Sequence, residues 1–245
     1  MPTFADRNHA VNGASFQPGI AAGGWVTILG SKLTSITRVW RAEEIVDGKL
    51  PTALDGVSVT INNRFASVYH ISPTQLNVLA TDDDSLGPVE VRVRTAQGVS
   101  NAAFAQLQPF APAFFVLDPQ GRKYAPAVHA KGTLVGPPSL PGARIATRPA
   151  APGQTILLSG TGSGPTDPPV PASQVVRQAA HLANRLVIRF GNVVATLLFA
   201  GLAAQAAGLS EFSVVVPELA DGNAPIFAEI EGQPTQEGAF VSIWR

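Results

Sequence analysis

Cysteine is absent from this chain of 245 residues. Disulfide bonds, thiol catalysis and metal sites with cysteine ligands are therefore excluded. Charged residues make up only 14% of the chain, the formal net charge at pH 7 is zero, and the sequence contains no run of basic residues. Because nucleic-acid binding depends on a basic patch, we expect no nucleic-acid partner.

An apolar leader is also missing, since the chain opens with the mixed segment MPTFADRNHAVNGASF. A secretory signal peptide requires an apolar core, so we expect either a cytosolic protein or a piece of an exported one. The uncharged stretch at residues 190–210 is close to the roughly 20 residues that a membrane helix needs. Polar residues such as Asn192 and Gln205 interrupt it, and we predict two strands there and no membrane span.

Glycine and proline are frequent instead, with 23 and 21 residues. That composition is typical of many short strands joined by turns and not of long amphipathic helices. Apolar residues alternate with polar ones at Val57, Val59 and Ile61, and the same period of two recurs over residues 186–190. This period indicates strands with one buried face. We therefore predict an all-β protein.

The strand pattern occurs twice along the chain. The segment GVSVTINNRFASV at 56–68 has the same pattern as LVIRFGNVVATL at 186–197. Gly30 likewise corresponds to Gly160, and both matches have an offset of about 130 residues, which is the size of one domain. We predict one domain over residues 1–109 and a second over residues 110–245. Within the second, residues 118–150 are expected to be mostly connecting loop, with one short strand near Ala127.

Two segments need separate interpretation. Apolar spacing over residues 172–184 fits helix and strand equally well, so both stay open there. Two prolines in the segment PFAP at 109–112 stiffen the predicted domain junction. Phe110, Phe114 and Phe115 are too apolar for a free tether, and we expect them to pack between the domains and form a fixed elbow.

Several segments carry a family resemblance. They are the opening VNGASFQPGIAAGGWVTILGSKL, the pair GVSVTINN and ISPTQLNV, the junction APAFF, and the later segments PGQTILLSGTGSGP and FAGLAAQAAGLSEFSVVVPEL. In their order and spacing the chain resembles the Solibacter-type uncharacterised C-terminal domain, over about residues 10–243. Ala22 stands where the family has proline, and Glu211 stands where it has glutamine.

The resemblance implies tandem immunoglobulin-like β-sandwich domains related to IPT/TIG domains. Such modules usually lie at the C-terminus of larger exported proteins, and no enzymatic activity is attached to the family. On this basis we expect a non-enzymatic structural or interaction module. It would serve spacing, adhesion or protein binding, in the extracellular space or at the cell surface.

Three features could carry chemistry, and each has a simpler interpretation. The segment GTGSG at 160–164 lacks the third glycine and the following helix of a phosphate-binding loop. The four histidines are scattered, without a local catalytic signature. Asp82, Asp83 and Asp84 are adjacent but do not follow the spacing of a calcium loop. We predict no catalytic, cofactor or metal site.

Aromatic side chains support an alternative function. Trp40 and Tyr69 are candidates for stacking on a sugar ring, and Trp25 and Trp244 could join them. A carbohydrate-binding sandwich that serves polysaccharide utilisation is therefore the alternative to the structural module. Burial in the two cores is the competing interpretation of the same side chains. The expected partner is an unidentified protein or glycan.

Overall fold

The computed structural model describes residues 1–5, 9–117, 123–138 and 146–245. In these ranges the chain forms strands, turns and a 3₁₀ turn over Ala42–Glu44, without an α-helix. The first strands are β1 (Thr3–Phe4), β2 (Ala10–Asn12), β3 (Ile20–Ala21), β4 (Trp25–Ser31), β5 (Arg38–Val39), β6 (Ala53–Leu54), β7 (Val57–Ile61), β8 (Arg64–Phe65), β9 (Ser67–Ile71), β10 (Gln75–Leu79), β11 (Gly87–Thr95), β12 (Gly98–Val99) and β13 (Ala103–Gln108). The later strands are β14 (Ala113–Phe114), β15 (Lys123–Tyr124), β16 (Ala127–His129), β17 (Leu134–Val135), β18 (Thr147–Arg148), β19 (Thr155–Thr161), β20 (Thr166–Asp167), β21 (Ala180–Leu182), β22 (Leu186–Phe190), β23 (Val193–Val194), β24 (Thr196–Leu202), β25 (Ser210–Val215), β26 (Gly222–Ile230), β27 (Gln233–Pro234) and β28 (Ala239–Ile243). The prediction of an all-β protein is confirmed.

Two sheets pack face to face in the first half of the chain. One has the strand order β1-β4-β10-β9-β5, with β2 also on β4, and the other has the order β3-β13-β11-β7-β6. The strands β2-β4-β10-β9 against β13-β11-β7 reproduce the ABED and GFC sheets of immunoglobulin domains. Alternate residues of the strands, such as Val59 and Ile61, fill the space between the sheets.

The second half repeats this arrangement. One sheet contains β19-β25-β24-β21-β20 and is extended by β14 and β16–β18, and the other has the order β15-β28-β26-β22-β23. Strand β15 lies parallel to β28, as β3 lies parallel to β13. The second core contains Ile188, Phe190 and Val214 and, among the described residues, shares none with the first. The protein is two tandem immunoglobulin-like β-sandwiches.

The open choice at residues 172–184 resolves to turns followed by the short strand β21. Val176 N donates to Ala206 O at 2.8 Å, and Gln205 N donates to Val176 O at 2.7 Å. These bonds tie the segment to the loop between β24 and β25, and an α-helix would need the same backbone groups for its own ladder. The apolar residues of this segment therefore have helical spacing without forming a helix.

Two further segments were interpreted from the sequence. The described part of residues 118–150 carries β16 at the expected place and also β15, β17 and β18, while residues 118–122 and 139–145 lie outside the description. Residues 190–210 form the end of β22, then β23 and β24. Within the described ranges, no helix has the length and apolar character to cross a membrane.

Backbone hydrogen bonds join the two sandwiches directly. Leu50 N donates to Ser173 O at 2.9 Å, and Val175 N donates to Gly48 O at 2.8 Å. Between them, residue 49 forms an antiparallel bridge with residue 174. The loop before β6 of the first sandwich is thus paired, as in a sheet, with the segment before β21 of the second.

Side chains make a second set of bonds across the junction. Trp25 N donates to Thr161 Oγ1 at 2.9 Å, and Asn12 Nδ2 donates to Ala111 O at 2.7 Å. Gly208 has a φ of 58° and lies so close to Leu79 that a side chain at this position would overlap it. The loop between β24 and β25 can therefore approach the first sandwich only with glycine here.

The alternation along β7 predicts opposite effects at neighbouring positions. Ile61→Asp should unfold the first sandwich, because Ile61 is buried and an unpaired carboxylate in a core costs several kcal/mol. Thr60→Asp is the control, since residue 60 faces the other side of the strand, with Arg92 opposite. Urea unfolding measures both variants, and equal losses of stability would contradict the assigned buried face.

The junction bonds predict a second outcome. Asp82 accepts a hydrogen bond from Ala172 N at 3.1 Å across the junction, and Thr161 accepts one from Trp25. The double variant Thr161→Val/Asp82→Ala should weaken the docking of the sandwiches by about 1 kcal/mol, since it removes two hydrogen bonds across the junction, one of them to the partly buried amide of Trp25. We expect faster hydrogen exchange at the Leu50 amide and a larger radius of gyration in small-angle scattering.

The matched control is Thr155→Val/Asp84→Ala. It changes the same residue types on the same strand and in the same acidic run, at side chains that make no bond across the junction among the described residues. Both sandwiches should stay folded in the two double variants, as circular dichroism would show. Identical exchange rates and scattering profiles for the two would refute the fixed junction.

Candidate functional site

An aromatic cluster lies on the outer face of the first sandwich, next to the second. Trp25 begins β4, Trp40 follows the edge strand β5, and Tyr69 lies in β9. The ring centroids are 6.0 Å apart for Trp25 and Trp40, 5.4 Å for Trp25 and Tyr69, and 5.0 Å for Trp40 and Tyr69. The rings are tilted or edge to face, which is the favourable geometry for aromatic pairs. All three keep part of their surface exposed.

Strand pairing brings these rings together. Trp40 N donates to Tyr69 O at 2.8 Å, which lays the residue after β5 along the edge of β9. The register between β9 and β10 skips Tyr69, because the paired residues of β9 pass from His70 directly to Val68. Tyr69 is therefore the extra residue of a β-bulge, and a bulge re-aims its side chain out of the ladder.

A cavity of about 300 Å³ opens beside the aromatic cluster. From the first sandwich it is lined by Trp25, Thr27, Trp40, Tyr69 and Asn77. From the second it is lined by Phe115, Ala206, Ala207 and Leu209. The volume is at the lower end of the range for ligand pockets, about 300–1,000 Å³. No charged side chain is among these described lining residues, so the cavity suits a neutral molecule. We call it the junction pocket.

Polar groups at the junction pocket remain available to a ligand. Asn77 Oδ1 accepts hydrogen bonds from Thr27 Oγ1 at 3.3 Å and from Gln75 Nε2 at 2.8 Å, so the amide of Asn77 is held in place. Asn77 Nδ2, Trp40 Nε1 and Tyr69 Oη have no hydrogen-bond partner among the described residues. Sequence reasoning missed Thr27 and Asn77, although their outward positions in the alternating pattern of two strands were a usable signal.

Trp25 also joins the junction pocket to the second sandwich. Its indole Nε1 donates to Ala207 O at 3.1 Å. Its backbone amide bonds to Thr161, as described above. The bond to Ala207 holds the loop that forms the second wall, so the pocket exists only while the two sandwiches are docked.

The second sandwich shows that its fold does not require these aromatic residues. Its strands pair in the same register, with Ser213 opposite Leu157 where the first has Asn77 opposite Thr27. At the positions of Trp25 and Tyr69 it carries Thr155 and Leu198, and Leu198 is likewise the skipped residue of a bulge. The aromatic cluster is thus a feature of one copy and not of the repeat.

An ionic network holds the segment that carries Trp40. Arg38 donates to Glu44 through both terminal nitrogens at 2.8 Å and to Asp55 through Nε at 2.6 Å. These bonds raise the pKa of Arg38, lower the pKa of Glu44 to about 2 and lower the pKa of Asp55. Arg38 is two residues from Trp40, so the network fixes the edge segment on which the ring stands.

The three phenylalanines of the predicted elbow occupy different places. Phe114 is fully buried in the second core, edge to face with Phe212. Phe110 is partly buried against the same core, and Phe115 lines the junction pocket. Trp244, the fourth aromatic candidate, is 54% exposed beyond β28 and stands apart from the aromatic cluster.

The histidines have separate surroundings. His9 Nε2 lies 3.2 Å from Phe104 O, the buried His129 lies 3.0 Å from Arg148 O through Nε2, and His181 packs on Phe199. Burial lowers the pKa of His70. Among the described residues, no three His, Cys, Asp or Glu side chains are placed to bind a metal ion.

The two remaining motifs have structural roles. In GTGSG, Gly160 packs against Phe212 and the backbone of Ala113, where a larger residue would not fit. In the acidic run, burial tends to raise the pKa of Asp83. Hydrogen bonds from Ser85 and Asn62 outweigh burial and hold that pKa below its ordinary value.

No family model and no curated protein matches the chain. It is similar to SGBP-B of the mixed-linkage glucan utilization locus of Bacteroides ovatus, solved in complex with a mixed-linkage heptasaccharide, with 10% identity and a TM-score of 0.38. The match covers 100% of this chain and 46% of that one, so the chain spans less than half of that protein.

Two other solved structures match with lower TM-scores. For the D0-D1 domain of intimin the identity is 12% and the TM-score 0.21, over 100% of this chain and 95% of that one. For the Gamma-CGTASE of alkalophilic Bacillus clarkii the values are 12% and 0.30, over 98% and 25%. The strand order of the two sandwiches identifies the fold of this chain.

The ionic network predicts a pH dependence. The pKa of Glu44 is about 2 in the folded protein against an ordinary value of 4.5, so the network is complete above pH 4.5 and is lost as the pH falls towards 2. Tryptophan fluorescence should change over this range, and the change should be missing in Trp40→Phe. Arg38→Gln should show the altered fluorescence already at pH 7, whereas the exposed Arg41→Gln should not. If the fluorescence changes neither with pH nor in Arg38→Gln, the network does not hold the segment that carries Trp40.

Proposed function

We propose that this protein is a non-enzymatic binding module whose ligand, a carbohydrate, occupies the junction pocket. The observation that carries the proposal is the aromatic cluster of Trp25, Trp40 and Tyr69, whose rings contact one another and are partly exposed on the first sandwich. Sugar rings present apolar C–H faces, and aromatic rings are the side chains that pack on such faces with the largest contact area. Trp25 and Tyr69 belong to neither core, and Trp40 packs against the edge of the first core while part of its surface stays exposed.

The polar groups of the junction pocket fit the same ligand class. A binding pocket is typically apolar, with a few polar groups that fix the orientation of the ligand. Asn77 Nδ2, Trp40 Nε1 and Tyr69 Oη are unengaged donors beside apolar walls. Cation recognition by aromatic rings would gain from a nearby carboxylate, and none lines the junction pocket among the described residues.

The absence of catalysis is part of the proposal. Hydrolysis of a glycosidic bond needs two carboxyl groups flanking the bound sugar, and the described lining of the junction pocket offers none. A module that holds a polysaccharide without cutting it would act outside the cell or at its surface. The resemblance to the Solibacter-type domain leads to the same expectation.

A second candidate function is spacing or adhesion through protein contacts. It is favoured by the paired backbone segments at residues 48–50 and 173–175, which hold the sandwiches at a fixed angle. A fixed angle between the sandwiches would be useful to a spacer, and it is equally required by a pocket that both sandwiches line. The two candidates differ in what the aromatic cluster contributes, because a spacer does not need exposed tryptophan rings.

Binding to an array of polysaccharides and oligosaccharides tests the proposal. The protein should bind at least one class of neutral glycan, and Trp40→Ala should weaken that binding by at least about tenfold, as expected for an aromatic residue that anchors a ligand. Trp244→Ala is the matched control, since this exposed tryptophan stands apart from the aromatic cluster. Failure to bind any neutral glycan, or equal losses in both variants, would refute the carbohydrate site.

A further inference from the structure

From the two walls of the junction pocket, we infer that it selects a pyranose ring whose hydroxyl groups are all equatorial, as in gluco- and xylo-configured sugars. The inference rests on the proposed carbohydrate function and names the stereochemistry that the site accepts.

The walls come from different sandwiches, and apolar side chains form most of each. Trp40 and Tyr69 stand on the first sandwich, while Phe115, Ala207 and Leu209 stand on the second. A ring held between such walls has an apolar surface against each of its faces. With all hydroxyls equatorial, both faces of the ring carry only axial hydrogens, and both can be buried without loss of hydrogen bonds.

An axial hydroxyl changes this on one face. The manno configuration has an axial hydroxyl at C2, and the galacto configuration has one at C4. Such a hydroxyl leaves the ring along its normal. It would be turned either towards Phe115, Ala207 and Leu209, where it loses water and gains no side-chain partner, or towards the aromatic rings, where it keeps the ring face from packing on them. We expect this to weaken binding by at least about tenfold, which corresponds to about 1.4 kcal/mol.

The unengaged donors suit hydroxyls that leave the ring at its rim. Asn77 Nδ2 is held by the bonds that fix Asn77 Oδ1 to Thr27 and Gln75, and it is therefore preorganised. Trp40 Nε1 and Tyr69 Oη belong to the rings of the first wall itself. Equatorial hydroxyls can reach these donors while the ring face stays against the aromatic surface.

The test is calorimetric titration of the full chain with four oligosaccharides of equal length. Cellohexaose and xylohexaose represent the all-equatorial rings, and β-1,4-mannohexaose and β-1,4-galactohexaose represent the axial hydroxyls at C2 and C4. We expect the first two to bind at least about tenfold more tightly than the last two. Trp40→Ala should weaken all binding.

A variant of the second wall separates selectivity from affinity. Phe115→Ala removes the largest side chain of the second wall but leaves Trp40 and Tyr69 in place, so it should weaken cellohexaose binding and, in addition, reduce the ratio between the cellohexaose and mannohexaose affinities. Thermal unfolding would confirm that the variant is folded. Equal or tighter binding of the manno or galacto compounds would overturn the selectivity and leave the carbohydrate function standing. The absence of binding by all four, together with an empty glycan array, would overturn both.

Discussion

The docking of the two sandwiches through Trp25 is the interaction on which the candidate site depends. One residue places its ring in the aromatic cluster, gives its indole N–H to Ala207 of the second sandwich and gives its backbone N–H to Thr161. Because the second wall of the junction pocket is the loop that contains Ala207, any separation of the sandwiches also opens the pocket. Binding and domain orientation are therefore thermodynamically linked, and a ligand that contacts both walls would stabilise the junction by mass action.

Duplication with divergence explains how one fold carries one site. Both sandwiches keep the same strand order, the same register between the corresponding strands and a bulge at the same place. Buried positions must stay apolar in both copies, because each copy has to fill its own core. Outward positions are free of that constraint, and here the first copy has Trp25 and Tyr69 where the second has Thr155 and Leu198.

The segment between β4 and β7 has two structural tasks. Its first part covers the edge of β9 and delivers Trp40, held by the bonds of Arg38 to Glu44 and Asp55. Its second part, at residues 48–50, reaches the other sandwich and pairs with residues 173–175. A covered edge strand offers no template for pairing with another chain. The segment that covers β9 also positions Trp40 in the site and pairs with the second sandwich at the junction.

The sequence by itself determined the strands, the duplication and the buried faces. These follow from local rules, because apolar residues with a period of two, as at Val57, Val59 and Ile61, indicate which face of a strand is buried. It did not determine the structure of residues 172–184, where bonds of Val176 to a distant loop replace the helix that the spacing allowed. Nor could it separate Phe114, which fills a core, from Phe115, which lines the junction pocket.

Only the tertiary structure decided the candidate site. Trp40 and Tyr69 could be selected from the sequence as aromatic residues, but their contact depends on the pairing of β5 with β9 and on a bulge at Tyr69. Asn77 and Thr27 meet across two strands, and Phe115 and Ala207 arrive from the other sandwich. Long-range strand register and domain docking are set by the balance of many contacts distant in sequence, and no local pattern encodes them.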